Sequence, residues 1–247
     1  MRSRLSLSLI LTLPLFLAAA CSREHTNTAE PPPAAPAAPA TASAPPATAS
    51  SPAARDSSRP KVVVLGDSLT AGLGLAQSEA YPALIEEKLR AAGYDWDVVN
   101  AGVSGDTSAA GLARADWALD QPNVRIVILE LGANDGLRGL PVDEMKKNLG
   151  AIIERAQAHH CAVLLAGMEA PPNFGPEYTV SFRQAYRDLA KQYKVTLLPF
   201  LLDKVAGNAG LNQGDGIHPN VEGARIVADN VWTVLRPMVA SLSPHAA

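Results

Sequence analysis

Lys61-Val62-Val63-Val64-Leu65-Gly66-Asp67-Ser68-Leu69-Thr70-Ala71-Gly72 is the stretch on which the reading of this chain turns. Val62 to Leu65 are four consecutive apolar residues, three of them β-branched, the pattern of a short strand buried on both faces. The run breaks at Gly66 into Gly-Asp-Ser, which is ordinary turn chemistry. It leaves Ser68 just beyond the strand's end. Open parallel sheets bind their ligands outside the carboxyl ends of the strands, so the same serine is also a candidate nucleophile. A nucleophile needs a base, a group to orient that base, and donors for an oxyanion. Those must come from elsewhere in the chain.

Outward from this stretch, strand and helix patterns alternate. A helix is expected over 80–92, with Leu84, Ile85 and Leu89 at helical spacing and Gly93 as its stop. A short strand follows at 97–100, then a helix capped by Thr107 and running to about Leu119. Residues 124–131 (Val-Arg-Ile-Val-Ile-Leu-Glu-Leu) are a strong third strand. A helix over 142–158, a strand over 161–168, a helix over 178–193, a strand over 195–198 and a closing helix over 220–235, capped by Asn220, complete the pattern. Five strands alternating with helices predict a parallel sheet with helices on both faces, an α/β/α sandwich.

The first sixty residues do not read as a folded domain. Arg2 and Arg4 precede an apolar run from Leu5 to Leu17, too short for the roughly 20 residues that span a bilayer, and Ala18-Ala19-Ala20 leads into Cys21. The layout is that of an export signal over residues 1–21. A cysteine after small residues resembles the lipobox of bacterial lipoproteins, although Ala18 stands where leucine is favoured. The expectation is a lipidated Cys21 on the periplasmic side of the outer membrane, with Ser22 favouring that destination. The alternative is Ala-x-Ala cleavage and a soluble periplasmic protein. Residues 22–60 are rich in Ala, Pro, Ser and Thr and read as a disordered, semi-rigid tether.

Residues 61–240 then form the one expected domain. From Lys61 on there are 16 Lys and Arg against 21 Asp and Glu, and aromatic residues are few. This mildly acidic balance argues against a nucleic-acid partner. No dinucleotide fingerprint, phosphate loop or His-Glu-x-x-His occurs, so neither cofactor nor metal is expected. Gly66-Asp67-Ser68-Leu69-Thr70 also lacks the last glycine of the Gly-x-Ser-x-Gly elbow. Cys161, inside an apolar run, reads as a core residue.

The segments after the strands carry Gly66-Asp67-Ser68, Gly102-Val103-Ser104-Gly105-Asp106, Gly132-Ala133-Asn134-Asp135 and Asp215-Gly216-Ile217-His218. Serine needs a base, and histidine suits that task near neutral pH. His25 lies in the tether, His245 at the C-terminus, and His159 and His160 at the opposite edge of the sheet. His218 is left, with Asp215 three residues earlier to fix its tautomer. Backbone N–H groups of Ser68 and Gly105 and the Asn134 amide would supply the oxyanion donors, Gly105 being suited by its lack of Cβ.

These blocks, in this order, resemble the GDSL (SGNH) hydrolases, and 103–108, 111–114, 129–139 and 215–220 look like their bacterial thioesterase I, lysophospholipase and arylesterase branch. The resemblance implies a flavodoxin-like strand order of 2-1-3-4-5, Ser68 as nucleophile, His218 as base and Asp215 as its orienter. It also implies an oxyanion hole of Ser68, Gly105 and Asn134, and hydrolysis of small-molecule or lipid esters and thioesters through an acyl-enzyme. Substrate loops would be 135–140 and 168–178, the second placing Glu169 where relatives often carry apolar or basic side chains. A cell-wall carbohydrate O-acetylesterase and a non-catalytic lipoprotein binding module are the alternatives.

Overall fold

The computed structural model describes residues 58–243. The export signal, the tether up to residue 57, Cys21, His25 and His245 lie outside the described residues; the tether's last residues, 58–60, already belong to the domain, Arg59 pairing with Asp95 and Asp97 and Pro60 O accepting from Asp97 N.

Five strands, β1 (Lys61–Gly66), β2 (Asp97–Gly102), β3 (Val124–Glu130), β4 (Ala162–Ala166) and β5 (Thr196–Leu198), form one sheet in the order β2-β1-β3-β4-β5. All four pairings are parallel. Val62 to Leu65 are completely buried, as are Ile126 to Leu129 on the neighbouring strand. That double burial is why these runs are continuously apolar rather than alternating.

The helices are α1 (Ser68–Ala71), α2 (Tyr81–Ala91), α3 (Ser108–Ala113), α4 (Ala115–Leu119), α5 (Ala133–Leu137), α6 (Val142–Ala158), α7 (Pro176–Tyr193) and α8 (Val221–Leu242). α2 packs with α8, while α3, α6 and α7 pack as a second group. Right-handed crossovers explain the division. The chain leaves β1 toward β2 over one face, then returns over the other face to β3, β4 and β5. The direction therefore reverses between β1 and β3, which stay paired to Gly66 and Glu130 while the connections beyond them run to opposite faces. Between those connections lies the crevice in which such sheets bind ligands.

Three expected helices differ in the structure. The helix from Thr107 breaks at Arg114, whose backbone (φ −114°, ψ 7°) separates α3 from α4. Its side chain is committed elsewhere: Nε donates to Asp106 Oδ2 (2.6 Å) and the two terminal nitrogens to Ala101 O (2.7 Å) and Gly66 O (2.8 Å). The closing helix does not stop at Leu235 but continues through Pro237 to Leu242, because Val239 beyond the proline is fully buried. Burial there offsets the one hydrogen bond that proline removes. α7 begins at Pro176, two residues early, since proline suits the first helical position. β4 is shorter than expected at both ends. Cys161, just before it, is buried, its thiol pushed up by burial, in keeping with a packing role.

Candidate active site

The strand end at Gly66 leads into an N-cap rather than a plain turn. Asp67 Oδ1 accepts from Leu69 N (3.0 Å), which starts the single turn of α1 with Ser68 as its first residue. The turn closes at Gly72, in the left-handed region at φ +74°. Glu130, at the end of β3, holds the turn from below. Its Oε2 accepts from Asp67 N (3.2 Å) and from Thr70 Oγ1 (2.7 Å), and Thr70 Oγ1 is in turn 2.7 Å from Tyr81 OH. Glu130 is fully buried, and its other oxygen has no partner. Burial, and then the neighbouring Asp67, pushes its carboxyl well above the usual range. Both effects favour the neutral form of this carboxyl.

His218 arrives from the opposite side, on the loop before α8. Asn220 caps that helix through Gly223 N (3.0 Å), and Gln213 ties the loop to the α1 side through Leu73 O (2.6 Å) and Pro219 O (3.0 Å). The result is a relay. Ser68 Oγ lies 2.8 Å from His218 Nε2, and His218 Nδ1 lies 2.6 Å from Asp215 Oδ2. Asp215 Oδ1 accepts from the backbone N–H groups of Ile217 and His218, each at 3.0 Å. The His218 backbone and side chain and the Ile217 N–H draw the Asp215 carboxyl down to about 2, so it is ionised wherever the histidine works.

Asn134 sits on α5, just beyond the end of β3. Its amide nitrogen donates to Asp67 Oδ2 (3.1 Å) and Asp106 O (3.0 Å). Both contacts hold the amide at the end of β3 in the substrate-free protein. Burial holds the Asp67 carboxyl up at about 6, against the lowering pull of Leu69 N–H, Asn134 and His218. Gly105 occupies the turn after β2, next to Asp106, with φ +87°. A Cβ there would meet nothing closer than 4.0 Å. The left-handed backbone there favours glycine, and no protein atom crowds the position.

Ser68, Asn134 and His218 line a cavity of about 480 Å³ whose walls are mostly apolar, with Leu69, Leu137, Met168, Pro171, Phe200 and Ile217 among them. The expected substrate loops contribute unevenly. From 135–140 only Leu137 reaches the cavity, and Asp135 is buried as a strut, accepting from Ser108 N (2.8 Å) and Oγ (2.6 Å). From 168–178 the first four residues line it, while Phe174 and Tyr178 pack on each other. Among the described residues no group of histidine, cysteine and carboxylate side chains is arranged to hold a metal ion.

Residues 64–226 match the model of the GDSL-like lipase/acylhydrolase family. The chain is a GDSL-family hydrolase. It is 43% identical over 178 residues to the esterase TesA of Pseudomonas aeruginosa, covering 72% of this chain and 89% of that protein. It is 39% identical over 185 residues to thioesterase 1/protease 1/lysophospholipase L1 of Escherichia coli K12, covering 75% and 88%. The crystal structure of the psychrotrophic esterase EstA from Pseudoalteromonas sp., inhibited by monoethylphosphonate, superposes with a TM-score of 0.70 at 34% identity, covering 73% of this GDSL hydrolase and 98% of EstA.

Glu130 and Arg114 belong to this GDSL site's frame, and reasoning from the sequence did not give them a role. Both had a signal: Glu130 is a carboxylate within a run of apolar strand residues, and Arg114 a cation within a small-residue helix. An ionisable side chain where burial is expected must have built-in partners.

Proposed function

We propose that the protein hydrolyses carboxylic esters through an acyl-enzyme on Ser68. The observation that carries this is the 2.8 Å contact of Ser68 Oγ with His218 Nε2, backed by Asp215 at 2.6 Å, at the wall of an apolar cavity. Ser68 Oγ attacks the acyl carbon as its proton passes to His218 Nε2, while Asp215 holds the Nδ1–H and stabilises the imidazolium. Ser68 N–H, Gly105 N–H and the Asn134 amide receive the oxyanion, with Asn134 drawn from Asp67 or Asp106 as charge develops. Such a donor is typically worth about 10²–10³ in kcat. The tetrahedral adduct collapses, His218 returns the proton to the leaving oxygen, and water then repeats the sequence on the acyl-enzyme.

The apolar walls favour aryl esters and acyl chains longer than acetate, including lysophospholipids, and thioesters present the same acyl carbon. The fluorophosphonate probe should label the wild-type protein and leave Ser68→Ala unlabelled. Turnover of p-nitrophenyl esters should rise from acetate toward medium chains. A protein that is neither labelled nor active on p-nitrophenyl acetate would sink the proposal, and a rate confined to acetyl esters would favour a carbohydrate O-acetylesterase.

The arrangement of residues 1–60 supports export and anchoring through a lipidated Cys21, with the catalytic domain tethered at the periplasmic face of the outer membrane. Metabolic labelling with a fatty-acid analogue, lost in Cys21→Ala, tests this. A soluble, unlabelled periplasmic protein would replace the anchor with simple secretion, and a cytoplasmic one would remove both.

A further inference from the structure

We propose that the cavity beside Ser68 selects by charge. Glu169 on its wall discriminates against esters with an anionic leaving group, in favour of neutral and cationic ones. This rests on the hydrolase reading above and narrows its substrate class.

Among the described residues, the ionisable side chains lining the cavity are Asp67, Glu169 and His218, and no lysine or arginine lines it. Asp67 is almost wholly buried, with both oxygens engaged by Leu69 N and Asn134. Glu169 is different. It follows β4, its side chain is 43% exposed, and Oε1 forms an ion pair with Arg183 Nε at 3.0 Å. Arg183 does not itself line the cavity. It orients the carboxylate from one side and only partly screens it, as is usual for an ion pair open to water. Arg138, the other nearby cation, is bound to Gly105 O and is likewise not on the wall.

An anionic leaving group entering this cavity would shed water against apolar walls and find a carboxylate but no lysine or arginine on them. Carboxylates and phosphates are otherwise recognised by charge-assisted bonds from arginine or lysine. A neutral ester carries no such cost, and a quaternary ammonium gains from Glu169. A fixed charge roughly 8 Å from the leaving group, at an effective dielectric of about 40, changes kcat/KM by about fivefold.

The test uses three butyrate esters differing in leaving-group charge: those of 4-hydroxybenzoate, 4-hydroxybenzamide and 4-(trimethylammonio)phenol. For each, the ratio of variant to wild-type kcat/KM cancels the intrinsic reactivity of the leaving group. Glu169→Gln should raise the ratio about 3- to 10-fold for the benzoate, leave the benzamide within about twofold, and lower it several-fold for the ammonium ester. Arg183→Gln, which uncovers the carboxylate, should shift the charged pair the opposite way. Both effects should shrink in about 0.5 M NaCl. A Glu169→Gln ratio that is the same for all three esters, whether unity or a uniform loss, overturns the selection and leaves the hydrolase reading standing. A folded wild type that cleaves none of them overturns both.

Discussion

Asp215 shows how one residue can be exposed and still decisive. Its side chain is 45% accessible, yet two backbone N–H groups and the His218 ring fix both its oxygens. Replacing it with asparagine keeps the shape but removes the ionised acceptor that holds the imidazole proton on Nδ1. The expected outcome is a fall in kcat of about 10²–10⁴, with KM little changed and fluorophosphonate labelling slowed in proportion. The measurement is steady-state kinetics on p-nitrophenyl butyrate. A loss below about threefold would show that Asp215 does not support His218. That Ser68, His218 and Asp215 come together was legible in the sequence, because few residue types can form that chain of contacts. Glu130 was not, since what it does depends on the strand ends beside it.

At the level of elements, the position of Ser68 depends on how closely α1 lies on the end of β2. A Cβ at Gly102 would fall 2.3 Å from Ala71 N and 2.8 Å from Ala71 Cα, backbone atoms that cannot rotate away. Gly102→Ala must therefore displace α1, which carries Ser68. We expect a destabilisation of about 1–3 kcal/mol by overpacking. Thermal melting should show the loss, and kcat should fall more than the melting shift implies. An unchanged kcat would mean that α1 has freedom the packing does not show. The same level explains the divided helix at 108–119. The cap at Thr107 predicts one helix running to about Leu119, but Arg114 bonds to the carbonyls at the ends of β1 and β2 and so interrupts it. No local pattern encodes a bond between residues that only the sheet brings together.

Across the whole molecule, the buried acids make stability depend on pH. Glu130 is held well above its ordinary 4.5, and Asp67 at about 6 against 3.8. Groups raised on folding contribute stability that is complete below their unfolded values and is lost as pH rises through the folded ones. Asp215, lowered to about 2, acts oppositely, its contribution being lost as pH falls below 3.8. In Glu130→Gln nothing ionises at that site, so its melting temperature relative to wild type should climb as pH rises from about 4.5 to 8. For a domain of this size the climb is about 2–4 °C for each kcal/mol of differential ionisation. Melting curves at four pH values check it. A constant difference would mean that Glu130 ionises as freely in the fold as in the unfolded chain.

The sequence by itself determined the layers, the parallel sheet and the residues of the Ser68 relay. Those follow from burial periodicity and from residue chemistry, both local properties of the chain. The order of the strands came with the resemblance, and the sheet then placed Ser68 and Asn134 on either side of the switch between β1 and β3. Only the tertiary structure decided what stands behind the relay: Glu130 under the Ser68 turn, Arg114 across the strand ends, Asn134 held by Asp67, and Glu169 on the cavity wall paired with Arg183 from outside it. Each of these joins residues separated in the chain, and its energy depends on burial and a partner's distance, which exist only once the sheet has formed.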